Sequence, residues 1–140
     1  MAVVRVESTI HAAPERVFQV LTDHEGYGKL PGLNAFLIEE GSPDRNGVGA
    51  VRSLGGGPVA MHERITLFEP PTAYEYLIIG GTLPMDHRGG RVEVQPVDGG
   101  AHVVWTTELG GFMGALSGPG VKLVLKRLLA FVKTEAERTP

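Results

Sequence analysis

The sequence predicts an α+β fold, a curved seven-stranded antiparallel sheet set against one long C-terminal helix. Three observations carry that prediction. The run from Ser117 to Arg138 spaces Val121, Val124, Leu125, Leu128, Leu129, Val132 and Ala136 three and four residues apart, which draws one broad apolar stripe on a helix. The glycine pairs Gly80-Gly81, Gly89-Gly90, Gly99-Gly100 and Gly110-Gly111 recur about ten residues apart, as turns and bends do in an antiparallel meander. Between the pairs, apolar and polar residues alternate with the period of a half-buried strand. A helix of about twenty residues is roughly 30 Å long, and its stripe needs the sheet to cover it.

Taken in order, Val3 to Ile10 alternates and forms the first strand. Pro14 suits the first position of a helix, which buries Val17, Phe18, Val20 and Leu21 and ends at Asp23 to Gly26. Tyr27 to Pro31 supplies a second helical turn. Ala35 to Glu40 is the second strand, and the polar stretch Gly41 to Gly47 turns it. Val48 to Leu54 is the third. Val59 to Phe68 is the fourth, with Val59, Met61, Glu63, Ile65 and Leu67 on one face. Ala73 to Ile79 is the fifth, with Tyr74, Tyr76 and Ile78 together. The sixth runs from Met85 to Val97, bent at Gly89-Gly90, and a tight hairpin at Asp98 to Gly100 leads into the seventh, Ala101 to Leu109. There Val103, Trp105, Thr107 and Leu109 share a face. Gly110 to Gly120 reads as an irregular lead into the final helix. The order is β-α-α-β6-α, and short turns between consecutive strands make the sheet antiparallel.

The 140 residues suit a single domain spanning 1–140. An apolar fraction of 42% and a charged fraction of 21% are ordinary for a soluble protein. A net charge of -3 gives no electrostatic reason to expect nucleic acid or an anionic membrane. No apolar run is long enough to span a bilayer, and MAVVRVEST lacks the features of a signal peptide, so a cytosolic protein is expected. Without cysteine there is no disulfide, thiolate nucleophile or Cys-based zinc site. His11, His24, His62, His87 and His102 show no metal-ligand spacing, and no glycine cluster fits a phosphate loop or a dinucleotide fingerprint. Ser8, Ser42, Ser53 and Ser117 lack a nucleophile-elbow context. No metal and no cofactor is expected.

Local phrases in this order carry a resemblance. They are Ile10-His-Ala-Ala-Pro-Glu-Arg-Val-Phe18 with Leu21 and Asp23, Tyr27, Pro31-Gly32, Val51-Arg52, Glu63, Pro70-Pro71 with Tyr76, His87-Arg-Gly89, and Gly100 with Val104-Trp105. Together they resemble the START/Bet v 1-like superfamily, and within it the polyketide cyclase/dehydrase and lipid-transport group, over nearly the whole chain. The resemblance implies a helix-grip fold, in which the sheet holds the C-terminal helix around an apolar cavity. Members bind lipids, sterols, polyketides, quinones or hormones, and some catalyse cyclisation, aromatisation or dehydration; fold alone does not choose among these. Members often carry Trp near the end of the second short helix. Here Lys29-Leu30 stands there, which makes that wall less aromatic.

A pocket needs apolar walls and a few aimed polar groups. The expected walls are Val59, Met61, Ile65, Tyr76, Ile78, Met85, Val103, Trp105, Phe112, Met113, Leu125, Leu128 and Leu129; the competing reading is that these fill a solid core. Glu63 is a carboxylate on an apolar strand face, a costly placement unless it is paired, and Arg52 on the preceding strand is the expected partner. The pair is either structural or orients a ligand, with Glu63 as a proton-transfer group. His87 is the imidazole candidate for acid/base work, or else a structural histidine. Arg91 reaches the pocket if the bend flips the strand's alternation, and otherwise lies on the surface. Tyr76 is read as a hydrogen-bond donor to a ligand carbonyl or as core, and Trp105 packs on the helix with an indole N–H that needs a partner. Gly110 to Gly120 is a connector or a lid over the pocket mouth.

Three functions follow. The first is a carrier or sensor of a small hydrophobic ligand, lipid, polyketide or quinone-like. The second is a cyclase or dehydratase whose candidate catalytic residues are Glu63 and His87, assisted by Tyr76 and Arg52 or Arg91. The third is a protein-interaction module using the outer face of the sheet. A monomer or homodimer is expected.

Overall fold

The computed structural model describes residues 2–82 and 86–138, with the side chains of 112–116 outside the description. Its elements are β1 (Ala2–Ile10), α1 (Pro14–Thr22), a 3₁₀ helix (His24–Lys29), β2 (Asn34–Glu39), β3 (Val51–Gly56), β4 (Val59–Glu69), β5 (Ala73–Gly81), β6 (His87–Val97), β7 (Gly100–Leu109) and α2 (Gly111–Glu137). The seven strands form one sheet in the order β1-β7-β6-β5-β4-β3-β2, every pair antiparallel. This is the helix-grip architecture that the sequence predicts.

Alternation decides which face of each strand is inside. Val4, Val6 and Ile10 of β1, Val92 and Val94 of β6, and Val103, Trp105 and Leu109 of β7 point to the covered face and are buried. There they meet Leu125, Leu128, Leu129, Val132 and Ala136 of α2 in one core. Ala130, between two of those positions, is exposed, so the buried stripe is no wider than its spacing indicates. The helix lies close to β1, β7 and α1. At Gly118 the helix backbone comes close to β1, near the Ala2 and Val4 side chains.

Pro14 stands at the first turn of α1, where its missing N–H breaks no helical bond. Phe18 packs on Phe68 and, edge-on, on Tyr74. The 3₁₀ helix starts at His24, earlier than the expected turn at Tyr27, and the Tyr27 hydroxyl donates to the Leu21 carbonyl across 2.8 Å. That bond ties the 3₁₀ helix to the end of α1.

Two expectations are corrected. Residues 111–120 are not an irregular lead but the opening turns of α2, which runs for 27 residues with Pro119 inside it. Glycine and proline density lowers helix propensity, yet the segment is helical. The lid reading also rests on Phe112, Met113 and Leu116, whose side chains lie outside the described residues. The third strand begins at Val51, not Val48, since Gly47 and Gly49 belong to the preceding turn, where Ala50 N–H bonds to Gly47 O.

Candidate functional site

Where α2 diverges from β3, β4 and β5, the inner face of the sheet is left uncovered and a cavity of about 460 Å³ remains. That volume falls among small-molecule sites, which run from about 300 to 1,000 Å³. Leu54, Val59, Met61, Ile78 and Leu109 line it from the strands, and Val121, Val124, Leu125 and Leu128 from α2. Its inner end is ringed by His24, Tyr27, Arg52, Glu63, Tyr76, His87, Trp105 and Thr107. Val59, Met61, Ile78 and Val121 are half-buried and Val124 is exposed, which marks the mouth between the start of β4, the end of β5 and the first half of α2.

Register creates the central polar feature. Arg52 of β3 is directly opposite Glu63 of β4, and its Nη2 donates to Glu63 Oε1 across 2.7 Å. The two side chains are 4% and 10% exposed, so the pair is desolvated. Burial works against the Arg52 charge, but Glu63 beside it more than offsets this and holds the guanidinium above its ordinary range. Nε and Nη1 of Arg52 are buried without a hydrogen-bond partner. Close by, burial pushes the Tyr74 hydroxyl up to about 12, with the Arg52 charge opposing the rise.

A second network crosses the strands. The Ile78 N–H donates to His87 Nδ1 across 2.9 Å, so that nitrogen is the acceptor and the ring proton is on Nε2. Nε2 is 2.6 Å from Thr107 Oγ1 and donates to it. The Trp105 indole N–H donates to the Tyr76 hydroxyl across 2.8 Å, which supplies the partner that the sequence demands. Tyr76 and His87 stack with centroids 5.5 Å apart. Glycine at 90 leaves space for this, since a Cβ there would overlap the Tyr76 ring. Burial depresses the His87 pKa, which favours the neutral ring. With Nδ1 accepting and Nε2 donating, both His87 nitrogens are engaged, and the ring links Ile78 of β5 to Thr107 of β7.

The expected site residues divide by position. Arg52, Met61, Glu63, Tyr76, Ile78, His87, Trp105, Leu125 and Leu128 line the cavity. Met85 lies outside the described residues, as do the side chains of Phe112 and Met113. Arg91 is corrected to the outer face, paired with Glu75 and with Glu93. The β-bulge falls between His87 and Gly89, before Arg91, and turns His87 inward without flipping the residues that follow. Ile65, Val103 and Leu129 are buried in the core away from the cavity; one helical step from Leu128 turns Leu129 towards β1.

His24, Tyr27 and Thr107 are cavity residues that the sequence reading did not select. The His24 Nε2–H donates to the Ser53 carbonyl across 2.7 Å, while Nδ1 is buried without a partner. Burial first, and the Arg52 charge second, hold its pKa below the ordinary value. Among the described residues, no cluster of three His, Asp or Glu side chains is placed to hold a metal ion. No described helix is long and apolar enough to cross a membrane.

Comparison with known proteins agrees with this architecture. The aromatase/cyclase Zhui from Streptomyces sp. R1128 superposes with a TM-score of 0.73 at 23% identity, covering 98% of this chain and 94% of its own. Ara h 8.0201 superposes with a TM-score of 0.79 at 16% identity, over 99% of both chains. Protein CV1439 from Chromobacterium violaceum gives a TM-score of 0.79 at 18% identity, over 99% of this chain and 100% of its own. At such identities the likeness concerns the fold alone. No curated protein matches the sequence at a significant level. The sequence matches the family described as "Polyketide cyclase / dehydrase and lipid transport" over residues 1–137, and the chain belongs to that family.

Proposed function

We propose that the chain binds a small, largely apolar molecule in the cavity between β3–β5 and α2, as a carrier or sensor. The observation that carries this reading is an apolar cavity of about 460 Å³ with a desolvated Arg52–Glu63 pair at its inner end. Aliphatic walls supply affinity by removing apolar ligand surface from water. The polar inner end gives the ligand an orientation, because a buried polar group left unmatched is costly. Native mass spectrometry after gentle purification tests the reading: a retained small molecule of defined mass supports it. Ligand-free protein that also takes up no uncharged apolar probe overturns it.

One observation favours a second reading. Glu63 is the only carboxylate among the described cavity-lining residues, which places one acid/base group beside any bound molecule. Under that reading the protein is a cyclase or dehydratase on a polyketide-like substrate. Turnover of a poly-β-keto substrate, lowered by Glu63→Gln with binding intact, supports it, and an unchanged rate in that variant removes Glu63 from the chemistry.

A further inference from the structure

The first half of α2 leaves two bulky aliphatic side chains in water. Leu123 is 60% exposed and Val124 is 43% exposed. Around them Lys122, Lys126 and Arg127 are exposed, and none has an ion-pair partner among the described residues. Lys133, by contrast, is engaged by Glu137 and by the Thr9 carbonyl. The helix carries no acidic residue before Glu135, although the chain has 16 acidic against 13 basic residues. A net negative chain thus concentrates unpaired cations around exposed aliphatics on one helix face. The formal charge of -3 conceals this.

Position gives the face its meaning. Val124 is both exposed and part of the cavity wall. Val121 and Gly120, one turn earlier, also border the cavity. Apolar residues of α2 are thus found on its outside at Leu123, at the mouth at Val124 and on the cavity wall at Val121. We propose that the middle of α2, around Lys122, Leu123, Val124, Lys126 and Arg127, docks on an anionic lipid bilayer and that the cavity exchanges its ligand through this contact. The proposal rests on the reading of the cavity as a site for an apolar molecule. Against a bilayer, such a molecule passes between two apolar phases without crossing water. An acidic protein surface would satisfy the three cations but would leave Leu123 and the mouth without an apolar counterpart.

Each cation near an anionic membrane surface strengthens partitioning about fivefold, so Lys122, Lys126 and Arg127 together are expected to contribute on the order of a hundredfold. Screening by salt removes this part. The test is flotation with vesicles of phosphatidylcholine alone and of phosphatidylcholine mixed with phosphatidylserine. The expected result is on the order of a hundredfold preference for the mixed vesicles, abolished by raised salt. Lys122→Glu with Lys126→Glu, and separately Leu123→Ser, are expected to cut binding by about tenfold or more. Both variants keep uptake of uncharged phenylnaphthylamine and keep the wild-type melting curve, because none of these residues lines the cavity. Equal partitioning onto both vesicle types overturns the proposal, as do variants that float like wild type. So does a dimer that Leu123→Ser disperses, since a second copy would then occupy this face. Loss of probe uptake in the wild-type protein counts instead against the cavity reading, which has its own readout.

Discussion

Replacing Glu63 with leucine leaves the Arg52 guanidinium charged, buried and without a counter-ion. The pair's side chains are only 4% and 10% exposed, so water does not take over the role of the lost carboxylate. Removing one partner of a buried pair costs about 3–5 kcal/mol, whereas an exposed pair is worth about 0.2–1 kcal/mol. With a urea m-value of about 2 kcal/mol per M, Glu63→Leu is expected to lower the unfolding midpoint by about 2 M. The double variant Arg52→Met/Glu63→Leu removes both charges and keeps most of the volume. It is expected to return to within about 1 kcal/mol of wild type, and because Arg52→Met alone should also cost about 3–5 kcal/mol, the coupling energy between the sites is at least about 5 kcal/mol in magnitude. Equilibrium urea unfolding followed by circular dichroism measures all four proteins: wild type, Glu63→Leu, Arg52→Met and the double variant. A shift below about 0.5 M for Glu63→Leu, or a double variant no better than the sum of the singles, would refute the claim that this pair is desolvated.

Other consequences follow from the same geometry. Gly90→Ala pushes the Tyr76 ring off its place and breaks the bond from Trp105; overpacking of this kind costs about 1–3 kcal/mol. Because Trp105 is the single tryptophan, a red-shifted intrinsic emission should accompany the lower Tm, and an unshifted spectrum would show that the network survives. Tyr27→Phe deletes the hydrogen bond to the Leu21 carbonyl and should cost about 1 kcal/mol, read by the same unfolding assay. His24 and His87 are both held below the ordinary histidine value of 6.5, in each case chiefly by burial. The unfolded chain therefore binds more protons than the folded one just below that pH. Stability is fully present above about pH 6.5 and is lost as pH falls through the depressed folded values. Urea midpoints measured from pH 7 down to about pH 5 should fall, with a shallower slope in His87→Gln; a flat profile in wild type would remove the buried neutral imidazoles from the account.

The fold was legible because its signals are periodic. Val121 to Ala136 repeats at helical spacing, and Val103, Trp105, Thr107 and Leu109 repeat at strand spacing. The Arg52–Glu63 pair was legible for a different reason: a carboxylate on an apolar strand face calls for a cation, and one short hairpin places Arg52 opposite it. Residues 111–120 were not legible, since four glycines and Pro119 read locally as a breaker although the segment is helical. Arg91 depended on which residue the bulge occupies, and alternation alone does not locate a bulge. His24 and Tyr27 lie in a 3₁₀ turn with too few residues to show a period, so only the path of the chain beneath the sheet brings them to the cavity. The engagement of both His87 nitrogens depended on β5 and β6 diverging after Tyr76, where the ring takes over a backbone N–H that no strand pairs.

The central claim, that the space between sheet and helix receives a small apolar molecule, is tested most directly by titrating uncharged phenylnaphthylamine into wild-type protein and into Leu128→Trp. Leu128 is 4% exposed and lines the cavity, so an indole there fills the space a ligand would take. The account predicts saturable fluorescence enhancement with one probe per wild-type chain, and its loss in a Leu128→Trp protein that remains folded. Equal enhancement in both proteins, or none in wild type, would contradict it.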